Sequence, residues 1–154
     1  MSDTASASAA APAAGAPAFQ STVLLTFEGA ARAMAAAEAE AEANGWKVCV
    51  VVCDAGGEPL LMHRHTFAAS SEIAAGKARA AVHFARPTGA LEAMVNVESG
   101  AGRTAMLSAP YVLMRGGAPI VVGDVVVGAV GVSGVRADQD EQVAMAGVNA
   151  LDSA

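Results

Sequence analysis

Aromatic residues are scarce in this chain: one Trp, one Tyr and four Phe among 154 residues. A core built around stacked rings is therefore excluded. Apolar residues still make up 54% of the chain, so the core must be assembled from Ala, Val, Leu and Met. Basic charge is also scarce. Nine Lys and Arg stand against fifteen Asp and Glu, a formal net charge of −6. That balance argues against nucleic acid or an anionic membrane as the main partner. The only lysines are Lys47 and Lys77, so each local cation is informative. No apolar run reaches the roughly 18 residues that a membrane span requires. Cysteine is limited to Cys49 and Cys53. Four apart on one strand, they point the same way at roughly 13 Å, too far for a disulfide. They read as buried thiols in a reducing, cytoplasmic compartment.

What is present falls into a tail and one domain. Residues 1–18 are mostly Ala, Pro, Ser and Gly. They lack the basic n-region and Leu/Val-rich h-region of a secretory leader, and read as a mobile low-complexity tail. Residues 19–154 are long enough for a single domain. Thr26 is expected to cap a helix running to about Asn44, which Gly45 ends. Lys47–Cys53 reads as a Val-rich strand, Asp54–Gly57 as a turn and Glu58–His65 as the return strand. A second helix starts at Ser70 or Ser71 and runs to about Ala85, where Arg86-Pro87 stops it. Thr88 is expected to cap a short helix to Val95, and residues 97–109 read as loop. Three further strands follow at Tyr111–Arg115, Ile120–Val122 and Val125–Val132. Asp138 and Glu141 form a D-x-x-E capping box for a last helix to about Leu151. Hairpins alternating with helices indicate an α+β fold whose helices cover an antiparallel sheet.

Several segments together resemble the GlcG/HbpS family, also found as the C-terminal domain of PduO-type adenosyltransferases. They are Val51-Val-Cys-Asp-Ala-Gly-Gly57, Arg64, Ile73-Ala-Ala-Gly-Lys-Ala-Arg79 with Phe84 and Arg86-Pro-Thr88, Gly116-Gly-Ala-Pro-Ile120, and Val127-Gly-Ala-Val-Gly-Val-Ser-Gly134 followed by Asp138-Gln-Asp-Glu141 and Ala146-Gly147. They occur in family order and cover about residues 22–151. The resemblance implies a profilin-like α/β/α sandwich around a five-stranded antiparallel sheet, assembled into homo-oligomers. It links the chain to haem binding, to corrinoid-related proteins and to operons for small organic acids.

The candidate site residues each have a functional and a structural reading. Lys77 shares a helical face with Ile73, Ala81 and Phe84, so it either faces a pocket or is held in a buried ion pair. In a pocket it would orient a carboxylate or form a Schiff base. Asp140 is the acid that the capping box leaves unexplained; it either neutralises Lys77 or Arg64, or acts as a general base. Ser133 is not in a nucleophile elbow, because Gly134 follows it directly. Gly128 and Gly131 read as packing positions, and Ser133 and Gly134 as either packing or ligand contacts. The Gly116–Pro119 turn is explained by a hairpin, while the resemblance places Gly117 beside a suspected pocket. Arg64 and Phe84 complete the ligand-binding set. His63 and His65 form an H-x-H on one strand face, either a two-ligand metal edge or a solvated sheet edge. Haem, which the resemblance implies, requires an iron ligand, or an apolar slot with cations for its propionates. Arg64, Arg103 and Arg115 would serve the propionates if they converge; His83 is a possible iron ligand, and Met34 reads as core. Two functions follow: a small-molecule-binding protein, with haem or a related planar anion as ligand, or a small enzyme acting on a compact organic acid through Lys77 and Asp140.

Overall fold

The computed structural model describes residues 15, 17–66, 68, 71–97 and 102–152. Most of the expected N-terminal tail lies outside the described residues. The first helix, α1 (Phe27–Ala43), starts where the cap residue requires: Thr26 Oγ1 accepts the Gly29 N–H at 3.0 Å. Its alanines fall into a buried stripe of Ala30, Ala33, Ala37 and Ala41. β1 (Cys49–Asp54) and β2 (Pro59–Arg64) form the expected hairpin. The Asp54 carboxylate tightens its turn by accepting N–H groups from Gly56 at 2.8 Å and Glu58 at 3.0 Å. Gly57, at φ +83°, supplies the left-handed residue. Then come α2 (Ser71–Phe84), α3 (Thr88–Val95), a 3₁₀ turn at Thr104–Ser108, β3 (Gly117–Val122), β4 (Val125–Ser133) and α4 (Ala137–Asn149).

The four strands lie in the order β2-β1-β4-β3, and every pairing is antiparallel. Strand alternation sorts the core into two faces. Val50, Val52, Val130 and Val132 pack against α1 and α4. Cys49, Val51, Cys53 and Ala129 pack against α2. The result is three layers, helices–sheet–helix. The α2 layer sits very close to the sheet. A Cβ on Gly131 would lie 2.2 Å from the Ala74 carbonyl oxygen, and one on Gly117 would lie 2.4 Å from that of Lys77. Here helix backbone rests on strand backbone, and no side chain fits between them.

The sheet has four strands, where five were expected. Tyr111–Arg115 has β-forming side chains but joins no ladder. Instead Tyr111 and Leu113 pack with Ala80, Phe84 and Leu91 outside α2, and the Arg115 N–H donates to the Glu92 carboxylate at 2.6 Å. The expected turn at Gly116–Pro119 falls largely within β3, which starts at Gly117. Pro119 is tolerated there because β3 is an edge strand. The stretch read as loop between 97 and 109 contains the 3₁₀ turn. Pro87, not Thr88, is the cap position of α3. The last helix begins one residue before Asp138, with Arg136 as its cap residue and Gln139 Oε1 accepting the Arg136 N–H at 3.2 Å. Asp138 therefore pairs with Arg136 at 3.0 Å, and Glu141 is free to reach Arg115 at 3.5 Å.

Two predictions follow from this packing. Gly131→Ala forces α2 off the sheet and should destabilise the fold by about 1–3 kcal/mol, read as a lower urea midpoint; an unchanged midpoint would contradict the backbone-to-backbone contact. Burial pushes the Cys53 thiol from its ordinary value of 9.0 up to about 11. Above pH 9 the unfolded chain releases this proton while the folded one keeps it, so stability should fall between about pH 9 and 11 by up to about 1.4 kcal/mol per pH unit. Cys53→Ala should flatten that slope.

Candidate functional site

Lys77 lies on α2 and Asp140 on α4, helices that cover opposite faces of the sheet. The two side chains meet at the corner where β3 begins. Lys77 is 0% exposed and Asp140 3%. Lys77 Nζ donates to Asp140 Oδ2 at 2.8 Å and to the Val132 carbonyl oxygen at 2.8 Å. The other Asp140 oxygen accepts the Val135 N–H at 3.2 Å. Burial pushes the Asp140 carboxyl up from the usual carboxylate range, and the hydrogen bond and charge of Lys77 oppose that push. Gly116 makes the passage possible. A Cβ there would lie 2.9 Å from Lys77 Nζ and 2.8 Å from Asp140 Cβ, and its φ of +119° favours glycine. Gly117 is held beside it by Thr88, whose buried hydroxyl oxygen accepts the Gly117 N–H at 2.8 Å. Thr88 and Gly116 were not singled out for this role in the sequence. The spacing of a helix-start threonine and a distant glycine pair carries no signal of their contact.

The other candidates are spread out. Arg64 is on the exposed edge strand β2, its guanidinium 3.5 Å from the Thr66 carbonyl oxygen. It shares a ladder row with Cys49 and the buried Ser133. Phe84, at the far end of α2, packs edge-to-face on Tyr111 with centroids 5.2 Å apart. Gly134 follows β4, and a Cβ on it would lie 2.5 Å from the Lys47 carbonyl oxygen. His83 has both ring nitrogens in hydrogen-bond reach, of Tyr111 Oη at 3.0 Å and the Gly56 carbonyl at 3.2 Å. Met34 is in the core. His63 and His65 do share one face, toward α1, where His63 Nδ1 contacts the Glu38 carboxylate. Among the described residues, no group of three or more His, Cys, Asp and Glu is gathered to hold a metal ion.

Among the cavities that open on the described surface are these three. One, of about 370 Å³, lies at the outer edge of β3, walled by Leu25, Val121, Val127, Val148 and Leu151, with Arg32 and Asp152 as its charged residues. A second, of about 180 Å³, lies between α1 and β2 and is lined by Trp46, Glu38, Glu42, His63 and His65. A third, also about 370 Å³, is bounded by Leu107, Leu113 and Met114. Lys77, Asp140, Arg64, Phe84, Gly117, Ser133 and Gly134 line none of the three.

Residues 25–149 match the family described as haem degrading protein HbpS-like, a span containing every helix and strand above. The chain belongs to the HbpS-like family. GlcG of Escherichia coli K12 is 39% identical to it over 114 residues, 72% of this chain and 82% of GlcG. A double mutant of HbpS from Streptomyces reticuli superposes with a TM-score of 0.78 at 32% identity, covering 94% of this chain and 99% of that one. PduOC, solved as a heme complex, superposes at 0.74 with 28% identity, covering 83% and 95%. Among the described residues, no helix of this HbpS-like chain is long and apolar enough to cross a membrane.

The buried pair generates a stability prediction. Lys77→Ala leaves Asp140 buried without its cation and should cost about 3–5 kcal/mol, whereas the double change Lys77→Met with Asp140→Leu should recover most of the loss. Urea unfolding checks both. A loss under about 1 kcal/mol for the single change would mean that the pair does not hold the layers together.

Proposed function

We propose that this HbpS-like protein binds a small molecule in the β3-edge cavity, on a frame read as profilin-like. The observation that carries the reading is Arg32, which makes no ion pair among the described residues and is the cavity's lining cation. The aliphatic wall suits the body of a compact organic acid, and Arg32 suits its carboxylate. Asp152 at the same cavity disfavours a second negative group.

Haem is the other ligand to weigh, because PduOC is a relative solved as a heme complex. Haem held through its iron needs a side-chain donor such as His, Cys, Met or Tyr, and a cation nearby would meet its propionates. In this chain His63 and His65 line the 180 Å³ cavity beside two glutamates, while Arg32 lines a different cavity whose wall has no His, Cys, Met or Tyr. An iron donor and a propionate cation therefore do not lie together in these two cavities of a single chain, which favours the smaller ligand. The enzyme reading would require Lys77 Nζ to leave two hydrogen bonds of 2.8 Å in a fully buried position. We read Lys77 and Asp140 as the clamp between layers instead.

Self-association is part of the proposal. Leu24, Val121, Val122 and Val125 are exposed around the β3 edge, and a clustered apolar surface of this kind favours burial against another protein surface. A second copy seated there would close the cavity. The cytoplasm is the compartment we propose, consistent with two free thiols.

Calorimetric titration with hexanoate should give saturable binding, and Arg32→Gln should weaken it at least about tenfold without lowering the melting temperature. Native mass spectrometry of the same sample should show a homo-oligomer that Val122→Glu dissociates. Absence of hexanoate binding, together with a stoichiometric Soret shift on adding haem, would overturn the ligand assignment.

A further inference from the structure

The cavity between the second half of α1 and the β2 edge is acidic, whereas the one at β3 carries one cation and one acid. Glu38 and Glu42 are one helical turn apart, so both carboxylates project from the same face of α1. His63 and His65 come from alternate positions of β2, and the half-buried Trp46 forms part of the wall. Val50 lies at the floor. No lysine or arginine is among the lining residues. His63 Nδ1 contacts Glu38, whereas the Glu42 side chain forms no ion pair among the described residues.

We propose that this cavity is a binding site for a small organic cation of the alkylammonium class. An indole face attracts such cations through its quadrupole, and the Glu42 carboxylate, with the His63-paired Glu38 beside it, supplies the countercharge. The size agrees: about 180 Å³ admits a compact ammonium head and little more. A bare divalent ion is the poorer match, because no group of three or more metal-ligating side chains is gathered among the described residues. The proposal is independent of the carboxylate site at β3.

Trp46 is the chain's one tryptophan, so selectively excited tryptophan emission reports from the wall of this cavity. Titrating the full-length protein with tetramethylammonium, at constant ionic strength, should produce a saturable change in Trp46 emission. Glu42→Gln should weaken that response at least about tenfold, and Glu38→Gln serves if the first variant fails to fold. Glu28→Gln makes the same charge change at the other end of α1, and should leave the response intact. Arg32→Gln, which removes the proposed β3-edge contact, should also leave it intact. A linear, unsaturable change would overturn the proposal. So would an equal loss in Glu28→Gln, which would mark a general charge effect, or a response to zinc with none to tetramethylammonium.

Discussion

One buried ion pair joins what the sheet separates. The hydrophobic layers on the two sheet faces have no reason of their own to keep a fixed relation at the β3 corner, because each face is satisfied by its own helices. Lys77 and Asp140 supply that relation. The lysine leaves α2, passes the Gly116–Gly117 corner and ends on α4. Removing two charges from water is costly, and the cost is offset here by hydrogen bonds to Val132 and Val135. The neighbouring glycines follow from this passage, since a side chain at Gly116 would stand where Nζ and Asp140 are. The Thr88 hydroxyl then anchors the β3 start against α3.

Most of the fold was legible because its signals are local. Thr26 as a cap, the Asp54–Gly57 turn and the Val-rich runs of β1 and β4 each rest on a few adjacent residues, and each reappears in the structure. The misreadings arise where tertiary contacts override a local preference. Tyr111–Arg115 has the composition of a strand, but its side chains are drawn to the outer face of α2, and its backbone finds Glu92 in place of a ladder. Thr88 has the chemistry of a helix cap, yet its hydroxyl serves a glycine 29 positions away. Asp138 looked like the cap of α4 because an acid three residues before an acid is a strong local pattern; Arg136 and Gln139 form the start that the loop geometry permits.

The candidate site was legible in part. The pairing of Lys77 with Asp140 could be anticipated, because a lysine on an apolar helix face needs a partner and Asp140 lacked another explanation. The cavities could not be anticipated. Arg32 sits in an Ala-rich helix with no motif around it. Glu38 and Glu42 read as ordinary solvated acids until β2 brings His63 and His65 opposite them. Grooves of this kind are made by elements distant in sequence, and no spacing rule encodes them.

The Ala-rich helix α1 has a geometric consequence. It runs from the β3 edge, where Arg32 stands, across to the β2 edge, where Glu42 stands. Ten residues of α-helix span about 15 Å, and the small side chains leave little freedom to bend against the sheet. The recess that holds Arg32 and the acidic recess are thereby held apart by a rod longer than any compact metabolite. A single small zwitterion therefore cannot span from one recess to the other.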